Sequence, residues 1–137
     1  MQDILVVDDD GTYRTIVMRV LTRAGFSVSG VRTGEEALAV LDQSTPSIVV
    51  TDILMPDMDG LELIRAIRRT GRGIGIIAIS GGSDPMFDFL PAASIFGADL
   101  ALRKPFELAS MVVAVNQLLL ARQAGPVQSR NQAAGSN

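Results

Sequence analysis

Five polar residues in this 137-residue chain stand at or just past the ends of short apolar runs. Asp8 and Asp9 follow Ile4-Leu5-Val6-Val7, Asp52 follows a run containing Ile48-Val49-Val50, Ser80 ends residues 74–80, and Lys104 comes soon after Leu100-Ala101-Leu102. With no Cys and no His in the chain, thiol catalysis, thiolate metal sites and the usual imidazole base are excluded. Any chemistry must therefore come from carboxylates, hydroxyls and ammonium. Asp8, Asp9 and Asp52 brought together would place about three negative charges within a few ångström, and such charges raise one another's pKa unless a cation sits among them. An all-oxygen ligand set selects a hard divalent ion, and so few carboxylates leave room for waters and a phosphoryl oxygen, which suits Mg²⁺ better than Ca²⁺. The two charges of that ion and the one of Lys104 would neutralise the cluster. Lys104 is informative in itself, because it is the single Lys against 11 Arg. A compact ammonium on a flexible stem reaches a phosphoryl oxygen as a point charge where a planar guanidinium would not fit.

These residues can meet only if the apolar runs are strands of one sheet with their carboxyl ends aligned. The first run, three of its four residues β-branched and stopped by three Asp and a Gly, suits a strand buried on both faces. Ile16, Val17, Val20, Leu21 and Ala24 then fall at helical spacing over residues 12–24, and Gly25 ends that helix. Residues 26–31 form a second strand. Thr33-Gly34-Glu35-Glu36 spells a capping box for a helix to about Gln43, and residues 47–51 form a third strand. Asp59-Gly60 opens a helix with an apolar stripe of Leu61, Ile64 and Ile67, with Arg65, Arg68 and Arg69 facing water and Gly71 closing it. Residues 74–80 make the fourth strand. Asp84-Pro85 is a helix start, although Pro91 lies inside the expected helix and should kink or shorten it. Residues 100–102 give a brief fifth strand, and Leu108, Met111, Val112, Val115, Leu118 and Leu119 mark the buried stripe of the last helix. Ala109, Val113, Ala114 and Leu120 lie off that stripe and leave a sticky face.

Strict strand–helix alternation with apolar strands predicts an α/β fold: a doubly wound five-stranded parallel sheet with helices on both faces. Ligands of such sheets bind beyond the carboxyl ends of the strands, near the reversal of strand order. The flavodoxin-like order 2-1-3-4-5 brings Asp8, Asp9, Asp52, Ser80 and Lys104 to that edge. The length fits one core, assigned to residues 1–122; residues 123–137 carry few large apolar side chains and read as a tail or linker without its own core. A net charge of −3 argues against direct nucleic-acid binding. No apolar run is long enough to span a bilayer and no signal-type start is visible, so a cytoplasmic protein without membrane contact is the expectation.

The motifs LVVDD (5–9), VVTDILMPDMDG (49–60), IAISGG (77–82) and GADLALRKPF (97–106) closely resemble the receiver domain of two-component response regulators, over residues 3 to about 120. The resemblance implies that Asp52 is the phospho-acceptor and that Asp8, Asp9, Asp52 and the backbone carbonyl of Leu54 surround Mg²⁺, with Asp8 acting mainly through a water. It further implies that Ser80 binds a phosphoryl oxygen, that Lys104 pairs with the phosphate and that Lys104-Pro105 is cis. The chain is then a signalling module, not an enzyme apart from self-phosphorylation and self-dephosphorylation. With no His of its own, it takes its phosphoryl group from a sensor histidine kinase or a histidine phosphotransfer protein and passes the signal to a downstream protein. The fourth helix, fifth strand and fifth helix are the surface expected to serve output or a second copy. It reads as a stand-alone module or as a fragment of a longer regulator or hybrid kinase.

Two departures from that family stand out. Ala101 occupies the place where receivers commonly carry a switching Tyr or Phe, which leaves the signal to Ser80 and the loop over residues 79–84. Leu54 and Gly82, expected to flank the phosphate, cannot orient an attacking water, which predicts slow self-dephosphorylation. Asp59 is expected to cap its helix, Asp10 to be a solvated loop residue, Met55-Pro56 to shape the loop beside Asp52, and Met58 to face solvent or a partner. Two other functions compete. Asp8-Asp9-Asp10-Gly11-Thr12 also resembles the nucleophile motif of haloacid-dehalogenase-like phosphatases, with Asp8 as nucleophile, although Glu107 is the sole acid beyond Lys104. The other is a phosphorylation-independent scaffold of receiver fold.

Overall fold

Short runs rich in apolar residues become strands, and the segments of helical periodicity between them become helices, in strict alternation. The computed structural model describes residues 3–55, 58–81 and 90–135. In chain order the elements are β1 (Asp3–Val7), α1 (Gly11–Arg23), β2 (Ser27–Val31), α2 (Gly34–Gln43), β3 (Ile48–Asp52), α3 (Gly60–Arg69), β4 (Gly75–Ser80), α4 (Leu90–Phe96), β5 (Leu100–Arg103) and α5 (Leu108–Gly135). The expected helix start at Asp84-Pro85 and the expected roles of Pro56 and Gly82 lie outside the described residues.

All five strands pair in parallel in the order β2-β1-β3-β4-β5. Strand order reverses between β1 and β3, the crevice where such sheets hold ligands. Alternate strand residues feed two cores. Ile4, Val6, Val50, Ile77 and Ile79 pack with Val17 and Leu21 of α1 and with Met111, Val115 and Leu118 of α5. On the other face Leu5, Val7, Val49, Ile76 and Ala78 pack with Ala37 and Leu41 of α2, with Leu63, Ile64 and Ile67 of α3 and with Ala93 of α4. Burial on both faces explains why β1, β3 and β4 read as continuous apolar runs rather than alternating ones.

Caps fix where helices begin. Thr33 Oγ1 accepts from Glu36 N at 3.0 Å, while Glu36 Oε1 accepts from Arg32 N at 2.8 Å, so the return bond of the expected capping box lands one residue before the cap. Asp59 Oδ1 accepts from Glu62 N at 2.9 Å, as the sequence predicts. Asp10 is exposed in the loop as expected, and it has a further role: it is the N-cap of α1, accepting from Thr12 N and Tyr13 N, because the helix begins at Gly11.

Four further side-chain placements depart from the sequence reading. Arg68 faces water only in part; half-buried, its guanidinium donates to Gly97 O, Ile74 O and Asp99, contacts that periodicity along α3 could not reveal. Met58 is half-buried against the α2–α3 core, where its Sδ would come within 2.8 Å of a Cβ at Gly34. On α5, Ala114 is buried while Leu108 is exposed, which shifts the core stripe by part of a turn. Leu63 joins the α3 stripe, and Leu61 is only partly buried. The α5 backbone also stays helical to Gly135 through the stretch expected as a tail, whose Ala, Gln and Arg are good helix formers.

Candidate functional site

Strand register assembles the site. Val7 pairs with Thr51, so Asp8 and Asp52 each follow by one step on neighbouring strands. Asp52 pairs with Ile79 and Ser80 with Arg103, which brings Ser80 and then Lys104 along the same edge. Lys104 N donates to Ser80 O at 2.7 Å, and Lys104-Pro105 is cis as expected. The β3–α3 connection must turn tightly, and it does so at Gly60. Its N–H donates to Ile53 O at 2.7 Å, and a Cβ there would stand 2.4 Å from Asp52 O. Only glycine allows that approach.

Asp8, Asp9 and Asp52 each offer a carboxylate oxygen within 4.8 Å of the others. Asp8 and Asp52 are buried, at 2% and 8% exposure, while Asp9 faces solvent. Asp8 is the more tied of the buried pair. Its Oδ1 accepts from Asp10 N at 3.0 Å, and Arg14 Nη1 donates to its backbone carbonyl at 2.7 Å. Asp52 Oδ1 and the fully buried Ser80 Oγ have no hydrogen-bond partner among the described residues. Lys104 Nζ lies 3.6 Å from Asp52 Oδ2 and 3.8 Å from Asp8 Oδ2, ion pairs too long to be hydrogen bonds. The side chain of Leu54 is 48% exposed at the rim. Five of the sequence-selected residues thus converge.

Burial sets the electrostatics. Desolvation pushes the Asp52 carboxyl up to about 6, with Lys104 pulling it down and the Asp8 charge pushing it further up. The Asp8 carboxyl is raised too, chiefly by burial, against the opposing pull of the Asp10 N–H and Lys104. An acidic site whose carboxyls resist ionisation, and which holds two buried polar atoms without partners, fits a hard cation and an incoming oxyanion. The donor set, oxygen throughout, fits Mg²⁺ on the same grounds.

Tyr13 is the residue the sequence reading missed. Its ring lies beneath Lys104, with Nζ 4.0 Å from the centroid, and Phe106 meets it edge-on at 5.9 Å. Burial and the nearby Asp8 and Asp52 charges push its phenol up to about 12, so it stays neutral. Being the sole Tyr of the chain was the one signal available. Elsewhere, Ala101, in place of the family's aromatic, lines with Leu100, Val113, Ala114 and Gln117 a shallow apolar cavity of about 530 Å³ between β5 and α5.

The response regulator receiver domain profile matches residues 4–116. The chain belongs to that family. It is 37% identical over 116 residues to the response regulator MprA of Mycolicibacterium vanbaalenii, covering 85% of this chain and 49% of that one. The receiver domain of a signal transduction histidine kinase from Syntrophus aciditrophicus superposes with a TM-score of 0.79 at 31% identity, covering 88% of this chain and 92% of that one. The Vibrio cholerae chemotaxis protein CheY4 gives a TM-score of 0.78 at 27% identity, over 86% and 98%. The chain spans about half the length of the MprA relatives it matches. Among the described residues no helix is long and apolar enough to cross a membrane.

Proposed function

We propose that this receiver takes a phosphoryl group onto Asp52 from the phosphohistidine of a sensor histidine kinase or histidine phosphotransfer protein, and signals through contact with a downstream protein. The observation that carries the reading is Asp52 Oδ1, without a hydrogen-bond partner among the described residues and set beside an ammonium and a Ser80 hydroxyl likewise without one, at the sheet's switch point. Asp52 attacks phosphorus in line as the phosphorus–nitrogen bond of the donor breaks, giving an aspartyl phosphate and a free imidazole. No general base is needed, because a carboxyl with pKa about 6 is mostly ionised at neutral pH. Lys104 offsets charge on the transferring oxygens, and Ser80 Oγ donates to one of them. Asp8, Asp9, Asp52 and the Leu54 carbonyl would hold Mg²⁺. When bound, the ion lets the carboxylates stay ionised together and neutralises phosphoryl charge. Leu54 offers no group to orient water, which supports a long-lived phosphoryl state.

The reading extends to a cytoplasmic protein with its receiver at residues 1–122 and a connecting segment at 123–137. Output, or pairing with a second copy, would use α4, β5 and α5. The phosphatase alternative is disfavoured, because Asp8 Oδ1 is engaged by its own loop while Asp52 Oδ1 is free, and because the chain is a receiver-family member.

Intact mass with acetyl phosphate and Mg²⁺ tests the assignment. One phosphoryl addition, lost in Asp52→Asn, weakened in Asp8→Asn and abolished by chelation, is expected. Labelling that survives Asp52→Asn would sink it, loss in Asp8→Asn alone would favour the phosphatase, and an unreactive wild type would favour the scaffold.

A further inference from the structure

We propose that Tyr13 is a positioning residue for Lys104, its ring face holding the ammonium over the acidic pocket so that the amine's protons stay free for an incoming phosphoryl group. The inference rests on the phosphoacceptor reading above and deepens it.

The contacts of Lys104 pose the problem. Its ammonium lies between two carboxylates at 3.6 and 3.8 Å without closing to hydrogen-bond distance on either. A lysine stem is flexible and loses rotamer entropy when it is fixed, so something must hold the head group in place. A carbonyl or carboxylate would do so by accepting one of its three N–H bonds. An aromatic face does so by its quadrupole and accepts none. At 4.0 Å from the centroid, Nζ is well inside the range of that attraction, in a partly desolvated site where it is strongest.

The ring is itself held from two sides. Asp10 Oδ1, the cap of α1, accepts from Tyr13 N at 3.2 Å and fixes the first turn of the helix. Phe106, two residues past Lys104, meets the ring at an interplanar angle of 89° and a centroid distance of 5.9 Å. The first turn of α1 and the loop after β5 are joined through this cation and aromatic pair. That gives Asp10 and Phe106 a part in placing Lys104 without touching it.

The experiment uses an accident of composition: Lys104 is the only Lys, so lysine labelled with ¹³C and ¹⁵N gives a single set of side-chain NMR signals in the full chain. The expected result is a wild-type Lys104 Hε resonance displaced upfield by the ring, retained in Tyr13→Phe and lost in Tyr13→Leu. In parallel, the rate of Asp52 phosphorylation by acetyl phosphate and Mg²⁺ should fall roughly 3- to 20-fold in Tyr13→Leu and recover in Tyr13→Phe, the range set by the strength of a partly buried cation–π contact. Tyr13→Met serves as a second variant should Tyr13→Leu fail to fold. An unshifted wild-type resonance, an unchanged rate in the Leu or Met variant, or a Tyr13→Phe as slow as Tyr13→Leu would overturn the proposal. A wild type that shows the ring-current displacement yet takes no phosphoryl group would instead overturn the phosphoacceptor reading, with the hold of Tyr13 on Lys104 supported by the displacement.

Discussion

Two cation–carboxylate pairs tie distant parts of this chain together, and they are built in opposite ways. Arg68 reaches Asp99 at 2.7 Å, Gly97 O at 2.8 Å and Ile74 O at 2.5 Å, while Asp99 Oδ2 also accepts from Ile76 N at 2.8 Å. That cluster ties α3 to β4 and to the turn before β5. Lys104 approaches Asp52 and Asp8 no closer than 3.6 Å, beside two buried polar atoms that have no partner among the described residues. A planar guanidinium with five donors closes a structural joint; a point-charge ammonium leaves capacity for something else. The contrast explains why a chain with 11 Arg keeps its one Lys at this edge.

Exchanging the cations tests the contrast. Lys104→Arg would let a guanidinium close on Asp52 and Asp8 and occupy the space meant for a phosphoryl group. Phosphorylation by acetyl phosphate, followed by intact mass, should slow by about 100-fold, the scale of losing one preorganised charge contact, while Tm holds or rises. An Arg variant that phosphorylates at the wild-type rate would show that the ammonium is not special. Gly60→Ala is expected to damage both properties at once, because its Cβ would meet the Asp52 backbone at 2.4 Å. Chemical denaturation should show a loss of about 3 kcal/mol, the upper range for overpacking against atoms that cannot rotate away. The reciprocal exchange, Arg68→Lys, keeps the charge and loses the fork. It should cost about 2 kcal/mol, from carbonyl acceptors left without donors, with phosphorylation per folded molecule unchanged.

The same contrast marks what could be read from the sequence. β1, β3 and β4 were legible because a strand buried on both faces must be an uninterrupted apolar run, and Asp8, Asp52 and Ser80 were legible because they interrupt those runs. Thr33 and Asp59 announced helices through local capping chemistry. Arg68 was not legible: Arg65, Arg68 and Arg69 are alike along α3, and the inward turn of one depends on Gly97 and Asp99 of a different element. Tyr13 failed for the same reason, since its partners Lys104 and Phe106 lie at the far end of the chain. Asp10 failed locally: three successive Asp leave the cap undecided until the first turn of α1 is fixed. The roles of Asp52 and Ser80 came from the resemblance rather than from periodicity, whereas that of Lys104 was also suggested by its being the single ammonium of the chain.

The smallest expected effect is a pH dependence carried by Asp52 in the open pair. Asp52 has a folded-state pKa of about 6 against an ordinary value of 3.8, so between those values the folded chain binds more protons than the unfolded one. Stability then falls as pH rises through this window, the reverse of a carboxylate held in a closed salt bridge. Without divalent metal, lowering the pH from 7 to 5 should increase the contribution of Asp52 to unfolding free energy by about 1 kcal/mol. Other carboxyls titrate in the same range, so the quantity to measure is the difference between wild type and Asp52→Asn, from denaturant midpoints at each pH. That difference should shrink toward pH 5, with Asp52→Asn the more stable protein at pH 7. Adding Mg²⁺ should reverse the slope, because an ion that requires ionised carboxylates binds better as pH rises. A difference independent of pH would mean that Lys104 already compensates Asp52, and the pocket would then be as closed as the Arg68 joint.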